Sequence, residues 1–253
     1  MGLPATGPQR LSIIIPCYNE AENVALFAAK LFPVVEELAR EWSVQIVLVD
    51  DGSSDSTPAC LRRLADDRPD VEVVTHAQNR GLGAAMRTGF AHAQGDVIVT
   101  TDSDGTYPFA EIPPLLECLT PEADMVVASP YHPQGGVEGV APYRRLLSQG
   151  ASLVYRLLLD WHLHTYTSMF RAYRREVVER VPSRADGFLM PAEFLAHAVL
   201  MGYRAVEYPT VLHVRRHGQS KARVARITLA HLRFQAGLVW CRLTRRSPVS
   251  RGG

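Results

Sequence analysis

Val97-Ile98-Val99-Thr100-Thr101-Asp102-Ser103-Asp104-Gly105 is an apolar run that ends in two carboxylates one residue apart. The run has the length and β-branched content of a buried strand. A second such run, Ile46-Val47-Leu48-Val49, also ends in acid, at Asp50-Asp51-Gly52-Ser53. A third, Ser12-Ile13-Ile14-Ile15, is stopped by Pro16. Between them lie helical patterns. Residues Glu22 to Arg40 place Val24, Phe27, Leu31, Val35 and Leu38 on one face. Asp55 or Ser56 can cap a helix through Leu61 and Leu64, with Pro58 in its first turn. A strand over Val71–Thr75 and a helix over Gly81–Ala93 complete the series. This alternation predicts an α/β fold with a mostly parallel, doubly wound sheet. Such sheets bind ligands at the carboxyl ends of their strands. Acid at two of those ends suggests a metal-assisted nucleotide site.

The second half is less regular. Helices are expected over Pro108–Leu119, Tyr143–Leu159 and Glu193–Met201, and strands over Asp124–Ala128, Phe170–Tyr173 and Ala205–Tyr208. A proline- and glycine-rich loop spans Pro130–Pro142. No repeat or low-complexity linker divides the chain. The expected organisation is a flexible N-terminus (1–10), one catalytic domain (11–221) and a basic C-terminal helix and tail (222–253).

With 253 residues, 47% hydrophobic and 21% charged, the chain has the composition of a globular protein and not a disordered one. Its formal net charge of +1 conceals a split. Residues 208–253 hold ten Arg or Lys and no acid, while residues 1–207 hold 17 basic and 26 acidic residues. A basic end of this kind suits an anionic surface, lipid headgroups or nucleic acid. The four cysteines, Cys17, Cys60, Cys118 and Cys241, form no CxxC pair. They read as reduced thiols rather than a zinc site. Residues 1–9 lack a signal-peptide core, and Val224–Leu243 is interrupted by Arg226, His231, Arg233 and Arg242. The expectation is therefore a cytoplasmic protein, soluble or peripheral.

Asp102 and Asp104 offer hard oxygen ligands suited to Mg²⁺ or Mn²⁺. A divalent ion there would bridge a diphosphate and stabilise it as a leaving group. Asp50 and Asp51 either form a turn and cap or accept hydrogen bonds from a base and ribose. Asn79-Arg80-Gly81-Leu82-Gly83 is a glycine-containing helix start. It lacks the third glycine of a dinucleotide fingerprint and serves either a structural turn or close approach to a nucleotide sugar.

Six stretches occur in order: Pro16-Cys17-Tyr18-Asn19-Glu20, Val49-Asp50-Asp51-Gly52-Ser53-Ser54-Asp55, Asn79-Arg80-Gly81-Leu82-Gly83, Asp102-Ser103-Asp104, Phe170-Arg171-Ala172-Tyr173-Arg174-Arg175 and Gly218-Gln219-Ser220-Lys221. Together they resemble the family 2 glycosyltransferases, in particular the polyprenol-phosphate (dolichol-phosphate) mannosyltransferase-like branch, over residues 11–221. The resemblance implies a GT-A fold and inverting, metal-dependent transfer from a nucleotide sugar. It implies that Pro16, Tyr18 and Glu20 line the nucleotide pocket. It further implies that Asp50 or Asp51 reads the base and that Asp102 and Asp104 hold the metal, with Asp104 catalytic. Arg144 or Arg145 matches a basic position near the acceptor phosphate. Arg215 and Lys221 match a late basic motif that folds over the phosphates, where an arginine fork grips two oxygens.

Three departures fall on the acceptor and sugar side. Ala128-Ser129-Pro130-Tyr131 stands where the family often has Gly-Ser-Arg-Tyr. His164-Thr165-Tyr166-Thr167-Ser168-Met169-Phe170 stands for Asp-x-Thr-Ser-Gly-Phe. Gly105-Thr106-Tyr107-Pro108 follows the acids where glutamine or histidine is common.

Transfer to a sugar hydroxyl needs a general base, for which Glu193 is the candidate; its other reading is a helix-start charge. A phosphate monoester is already largely dianionic at neutral pH and needs cations instead. The expected reaction is transfer of mannose or glucose from a GDP- or UDP-sugar to a polyprenyl phosphate, at the cytoplasmic face of a membrane. The rival readings are transfer to a carbohydrate or small-molecule hydroxyl, a non-catalytic nucleotide-binding module, and a nucleotidyltransferase. Nucleic acid is not an expected partner, because the aromatic interleaving of single-strand binders is missing. In the tail, Ala225, Leu229, Leu232, Ala236, Val239 and Leu243 share one helical face, with Trp240 at its edge. Arg223, Arg226 and Arg233 share another. That pattern fits either an interfacial helix or one packed on the core.

Overall fold

The computed structural model describes residues 9–66, 68–214 and 224–244. Strand β1 (Gln9–Cys17) leads through three short helices, α1 (Ala21–Val24), α2 (Phe27–Lys30) and α3 (Phe32–Leu38), to β2 (Trp42–Asp50). Helix α4 (Thr57–Asp66), β3 (Val71–Thr75), α5 (Leu82–His92) and β4 (Val97–Thr100) follow. Next come a 3₁₀ turn (Phe109–Glu111), α6 (Ile112–Glu117), β5 (Met125–Ser129), β6 (Gly136–Val137) and α7 (Pro142–Leu158). The chain continues with β7 (Arg171–Arg174), α8 (Arg175–Arg180), α9 (Met190–Leu200), β8 (Ala205–Pro209), β9 (Val211–Leu212) and α10 (Val224–Thr244).

The main sheet has seven strands in the order β3-β2-β1-β4-β7-β5-β8, and β6 pairs with β9 in a small second sheet. Within the main sheet, β7 alone is antiparallel to its neighbours. The continuous apolar runs follow from burial on both faces. Leu11, Ile13 and Ile15 point into one core layer with Phe27, Leu31, Leu61 and Ile112. Ile14, Val47 and Val49 point into the other with Ala85, Met86, Phe194 and Leu195. Register places the strand ends together. Cys17 lies beside Asp50, Ile14 beside Thr100, and the Thr101 amide donates to the Ile14 carbonyl at 3.1 Å. The residues after β1, β2 and β4 therefore emerge at one edge of the sheet.

Two expectations change. The single helix over Glu22–Arg40 is three helices. Pro33, in the first turn of α3, has no N–H to continue the preceding helix. The helix expected from Glu193 begins at Met190, with Pro191 in its first turn, where the missing N–H costs nothing.

The packing of α10 is a third finding. Its buried residues are His231, Gln235 and Leu238. His231 Nδ1 bonds to the Tyr155 hydroxyl at 2.9 Å, and Gln235 Nε2 donates to the Ala151 carbonyl at 3.0 Å, both on α7. Ala225, Leu229, Leu232, Ala236, Val239 and Leu243 are exposed. The helix thus docks through a mixed seam, with Phe234 and Leu238 packed beside the two polar residues, and turns these six apolar positions outward. Burial lowers the His231 pKa from 6.5 to about 4. The unfolded chain binds this proton more readily, so stability rises with pH between those values. It is fully present above about 6.5 and lost as pH falls toward 4. A shift of this size is worth about 3 kcal/mol. Hydrogen exchange across α10 at pH 7 and pH 4.5 should show loosening at the lower pH, and His231→Gln should abolish that difference. A protection factor across α10, corrected for the intrinsic rate at each pH, that is the same at pH 7 and pH 4.5 in the parent protein would refute this.

Candidate active site

The segments that emerge beyond β1, β2 and β4 line a cleft of about 1370 Å³. Pro16, Tyr18, Glu20, Asp51, Gly81, Asp102 and Asp104 are among its walls. Asn19, at φ +53, bends the chain after β1 so that two loops interlock. Its amide donates to Ser53 Oγ at 2.9 Å, and its Oδ1 accepts from the Ser54 amide at 2.8 Å. The Glu20 amide donates to Thr57 Oγ1, and its Oε2 accepts from Asn23 Nδ2 at 2.6 Å.

The paired acids after β2 separate in role. The Asp50 side chain is fully buried: Oδ1 accepts from the Ser53 amide at 3.0 Å and Oδ2 has no hydrogen-bond partner. Asp50 is also not among the cleft-lining residues, so this geometry does not present it to a nucleoside. Asp51 reaches the cleft wall, with its carboxylate already engaged. Oδ1 accepts from the Arg80 amide at 2.9 Å and meets His76 Nδ1 at 2.7 Å. Oδ2 accepts from the Gly81 amide at 2.8 Å and Asn79 Nδ2 at 3.0 Å. Asp51 therefore shapes the 79–81 loop. His76, whose Nε2 bonds to Thr88 Oγ1 on α5, ties that loop to the helix behind it.

Gly81 and Gly83 earn their identity by contact. Gly81 sits at φ +93, and a Cβ on either would run into the carbonyl oxygens of Asp186 and Ala185. The Gly83 amide donates to the Asp186 carbonyl at 2.7 Å. Arg87 grips the same loop through the Ala185 carbonyl and the Asp186 carboxylate. From its far side, Glu193 Oε2 accepts the Arg184 and Ala185 amides, each at 2.8 Å. Glu193 is nearly buried and braces the 184–187 loop; it is not among the cleft-lining residues. Its reading as a general base does not fit this geometry.

Asp102 and Asp104 are half-buried in the cleft wall. The Thr106 amide and hydroxyl both donate to Asp104 Oδ1, at 3.0 and 2.8 Å. Two carboxylates suit a hard divalent ion, because Mg²⁺ is commonly held by one or two carboxylates plus substrate phosphates and water. The donor set therefore fits the expected metal. Beyond these acids, away from Tyr18 and Asp51, lies a recess of about 240 Å³. One wall is Pro130 and Tyr131, another is Thr165, Thr167, Ser168 and Met169. Ser148 Oγ and Thr167 Oγ1 share a hydrogen bond of 2.9 Å in that wall. Burial raises the Tyr131 pKa, opposed by a hydrogen bond with Ser148 and by the Arg145 charge. Arg145 is exposed on the first turn of α7, and Arg144 precedes it on the same helix. Arg215 and Lys221 lie outside the described residues. Arg226, on α10, lines the cleft with Ile227 and Ala230. It had been placed only on a polar helical face, since nothing in a helical wheel shows where the cleft lies.

The family model described as "Glycosyl transferase family 2" matches residues 12–181. The chain belongs to glycosyl transferase family 2. The transferase is 36% identical over 221 residues to a polyprenol monophosphomannose synthase from Mycolicibacterium smegmatis, covering 84% of this chain and 81% of the relative. Its GT-A fold is shared with glucosyl-3-phosphoglycerate synthase from Mycobacterium tuberculosis, solved with Mn²⁺, UDP and phosphoglyceric acid. That match has a TM-score of 0.67 and 20% identity, over 97% of this chain and 81% of that one. A mannosyltransferase from Pyrobaculum calidifontis, solved with GDP-Man and Mn²⁺, superposes with a TM-score of 0.60 at 24% identity. It covers 97% of this chain and 67% of that one.

Proposed function

We propose that this glycosyltransferase moves a hexose, mannose or glucose, from a GDP- or UDP-sugar to a polyprenyl phosphate with inversion at the anomeric carbon. The single observation that carries the choice of acceptor is the commitment of Glu193 to two backbone amides, which leaves a hydroxyl acceptor without its candidate base. A phosphate dianion needs no deprotonation. One of its oxygens forms the new bond to C1 while the bond from C1 to the donor diphosphate breaks, and the nucleoside diphosphate leaves.

In this reading Pro16, Tyr18, Glu20 and the Asp51-braced loop seat the nucleoside. Gly81 and Gly83 let the chain pass close to the sugar nucleotide. Asp102 and Asp104 would hold Mg²⁺ or Mn²⁺, which supplies charge neutralisation to the departing diphosphate. Arg144 or Arg145, with Arg215 and Lys221, would hold the phosphates as forked or point charges. The mycobacterial relative's name supports the lipid acceptor, and the two solved structures support a nucleotide sugar with a divalent ion.

The same reading takes residues 11–221 as the catalytic domain and 222–253 as a docking tail at the cytoplasmic face of a membrane. Among the described residues no helix is long and apolar enough to cross a membrane. Two helices nonetheless expose apolar stripes: Leu146, Leu153 and Leu157 on α7, and Leu232, Trp240 and Leu243 on α10. Neither helix contains an acidic residue, and Arg145, Arg233 and Arg242 are exposed on them. Apolar area flanked by arginine is complementary to an anionic leaflet, at about 1 kcal/mol per basic residue. Tyr143 and Arg226, in the first turns of these helices, both line the cleft.

Incubation with labelled GDP- and UDP-hexoses, Mn²⁺ and membranes should put label into an organic-extractable, mild-acid-labile lipid. Label confined to water-soluble product would overturn the lipid acceptor. In flotation assays the protein should rise with anionic vesicles, less so in high salt, and Leu157→Glu with Trp240→Glu should release it. Flotation that ignores both changes would remove the docking face.

A further inference from the structure

The 164–169 loop departs from the family pattern, since Thr165 stands where an aspartate is common. An acid nevertheless serves that place, from another strand. Glu207 on β8 has a buried carboxylate. Its Oε1 accepts the His164 amide at 2.7 Å and the Thr165 amide at 2.8 Å. Its Oε2 bonds to His164 Nδ1 at 2.7 Å. One side chain thus fixes both the start of the loop and the ring that opens it. The His164 ring in turn meets the His132 ring edge to face, with centroids 5.5 Å apart. Thr165 Oγ1 shares a 2.7 Å hydrogen bond with Ser129 Oγ, at the end of β5. The two loops so joined both line the recess beside Asp102 and Asp104, through Pro130 and Tyr131 from one and Thr165, Thr167, Ser168 and Met169 from the other.

We propose that Glu207 is a positioning residue for acceptor binding: it sets the gap between the 130–132 and 164–169 loops, and so the shape of the recess in which the acceptor phosphate meets the donor sugar. The inference rests on the proposed transfer to a lipid phosphate. Its physical basis is that a carboxylate with three donors holds two backbone amides and a ring in one geometry. Displacement of a reacting group by about 1 Å costs on the order of a hundredfold in rate. Glu207, His164 and Thr165 are not among the residues that line the cleft with Tyr18 and Asp51, so loss of Glu207 should act on one substrate and spare the other.

The test is steady-state transfer from the preferred nucleotide sugar to polyprenyl phosphate in detergent micelles, with nucleoside diphosphate binding measured by calorimetry in Mn²⁺. Glu207→Ala should raise the acceptor KM about tenfold or more, with nucleoside diphosphate affinity unchanged within about twofold. Glu207→Gln should restore most of the acceptor KM. Its amide oxygen still accepts both backbone N–H groups, and its NH₂ can donate to His164 Nδ1 in the tautomer protonated on Nε2. His164→Phe removes the ring's bond and leaves the two amides. It should raise the acceptor KM about threefold, which keeps the proposal testable if Glu207→Ala does not fold. Equal losses in acceptor KM and nucleotide affinity, or no rescue by Glu207→Gln, would overturn the positioning role. A parent enzyme that binds nucleotide but transfers nothing to polyprenyl phosphate would overturn the proposed function, and this inference with it.

Discussion

Asp104→Asn should lower kcat about a thousandfold while leaving the melting temperature within about 1 °C. The substitution is nearly isosteric. Thr106 donates both its amide and its hydroxyl to Asp104 Oδ1, and an asparagine oxygen accepts the same two bonds. What disappears is one negative charge in a cleft that, on the proposed function, would hold a divalent cation against a diphosphate. Electrostatic stabilisation of a leaving group by a bound ion is worth several kcal/mol, and about 4 kcal/mol is a factor of a thousand. The Mn²⁺ concentration for half-maximal activity should rise in parallel with Asp102→Asn, because the two carboxylates act on one ion. Nucleoside diphosphate binding without metal should stay at its parent value. Activity above a tenth of the parent's, at saturating Mn²⁺, would remove the metal assignment.

The sheet and the position of its functional edge were legible because buried parallel strands are short, apolar and punctuated. Ile13-Ile14-Ile15, Ile46–Val49 and Val97–Thr100 can hardly be anything else, and the residues just after them must share an edge if the strands are parallel. Asp102 and Asp104 could be read for the same reason. Partners distant in sequence could not. Asp50 and Asp51 are indistinguishable by adjacency. The fold turns Asp50 inward toward Ser53 and gives Asp51 to His76, Asn79, Arg80 and Gly81. Strand alternation demands that adjacent side chains diverge, but does not say which of them meets a loop arriving from β3.

Glu193 and Glu207 make the complementary point. In the sequence Glu193 is a lone acid at a helix start, open to reading as a general base or as a helix-start charge. In the fold it is a brace for the 184–187 loop. Glu207 gave no signal, being one acid in a short strand, yet three hydrogen bonds converge on it. A carboxylate can organise backbone amides from anywhere in the sequence, so its role is set by which loop reaches it. The C-terminal helix shows the same limit for apolar residues. A helical wheel locates Leu229, Leu232 and Leu243 on one side, but the side taken against α7 is the one where His231 and Gln235 find partners. Phe234 and Leu238 pack there too, and the face with Leu229, Leu232 and Leu243 is left outward, where a lipid surface would meet it.

Asp51→Ala should destabilise the fold by about 3 kcal/mol and weaken nucleotide binding by at least tenfold. The carboxylate is buried, and four groups converge on its two oxygens. Removing it strands His76, itself nearly buried, and costs about 1–3 kcal/mol for each donor that water cannot reach. Asn79 and Arg80 are exposed, so water replaces part of what they lose and the costs do not simply add. The more consequential effect is geometric. The 79–81 loop sets the start of α5 and presses Gly81 and Gly83 against the 184–187 loop, so releasing it opens the nucleotide side of the cleft. Asp51→Asn is the discriminating control. Its oxygen can serve one pair of donors, but its NH₂ then faces the other pair. Turned toward His76, that NH₂ can be accepted by Nδ1 in the other ring tautomer, leaving a clash with the Arg80 amide alone. Turned the other way, it opposes both Asn79 and Gly81. Asp51→Asn should therefore fall between the parent and Asp51→Ala in chemical denaturation, and in nucleoside diphosphate affinity by calorimetry. If Asp51→Asn instead regained most of the parent's stability yet bound nucleotide as weakly as Asp51→Ala, the carboxylate would be touching the nucleoside directly and its bracing role would be secondary.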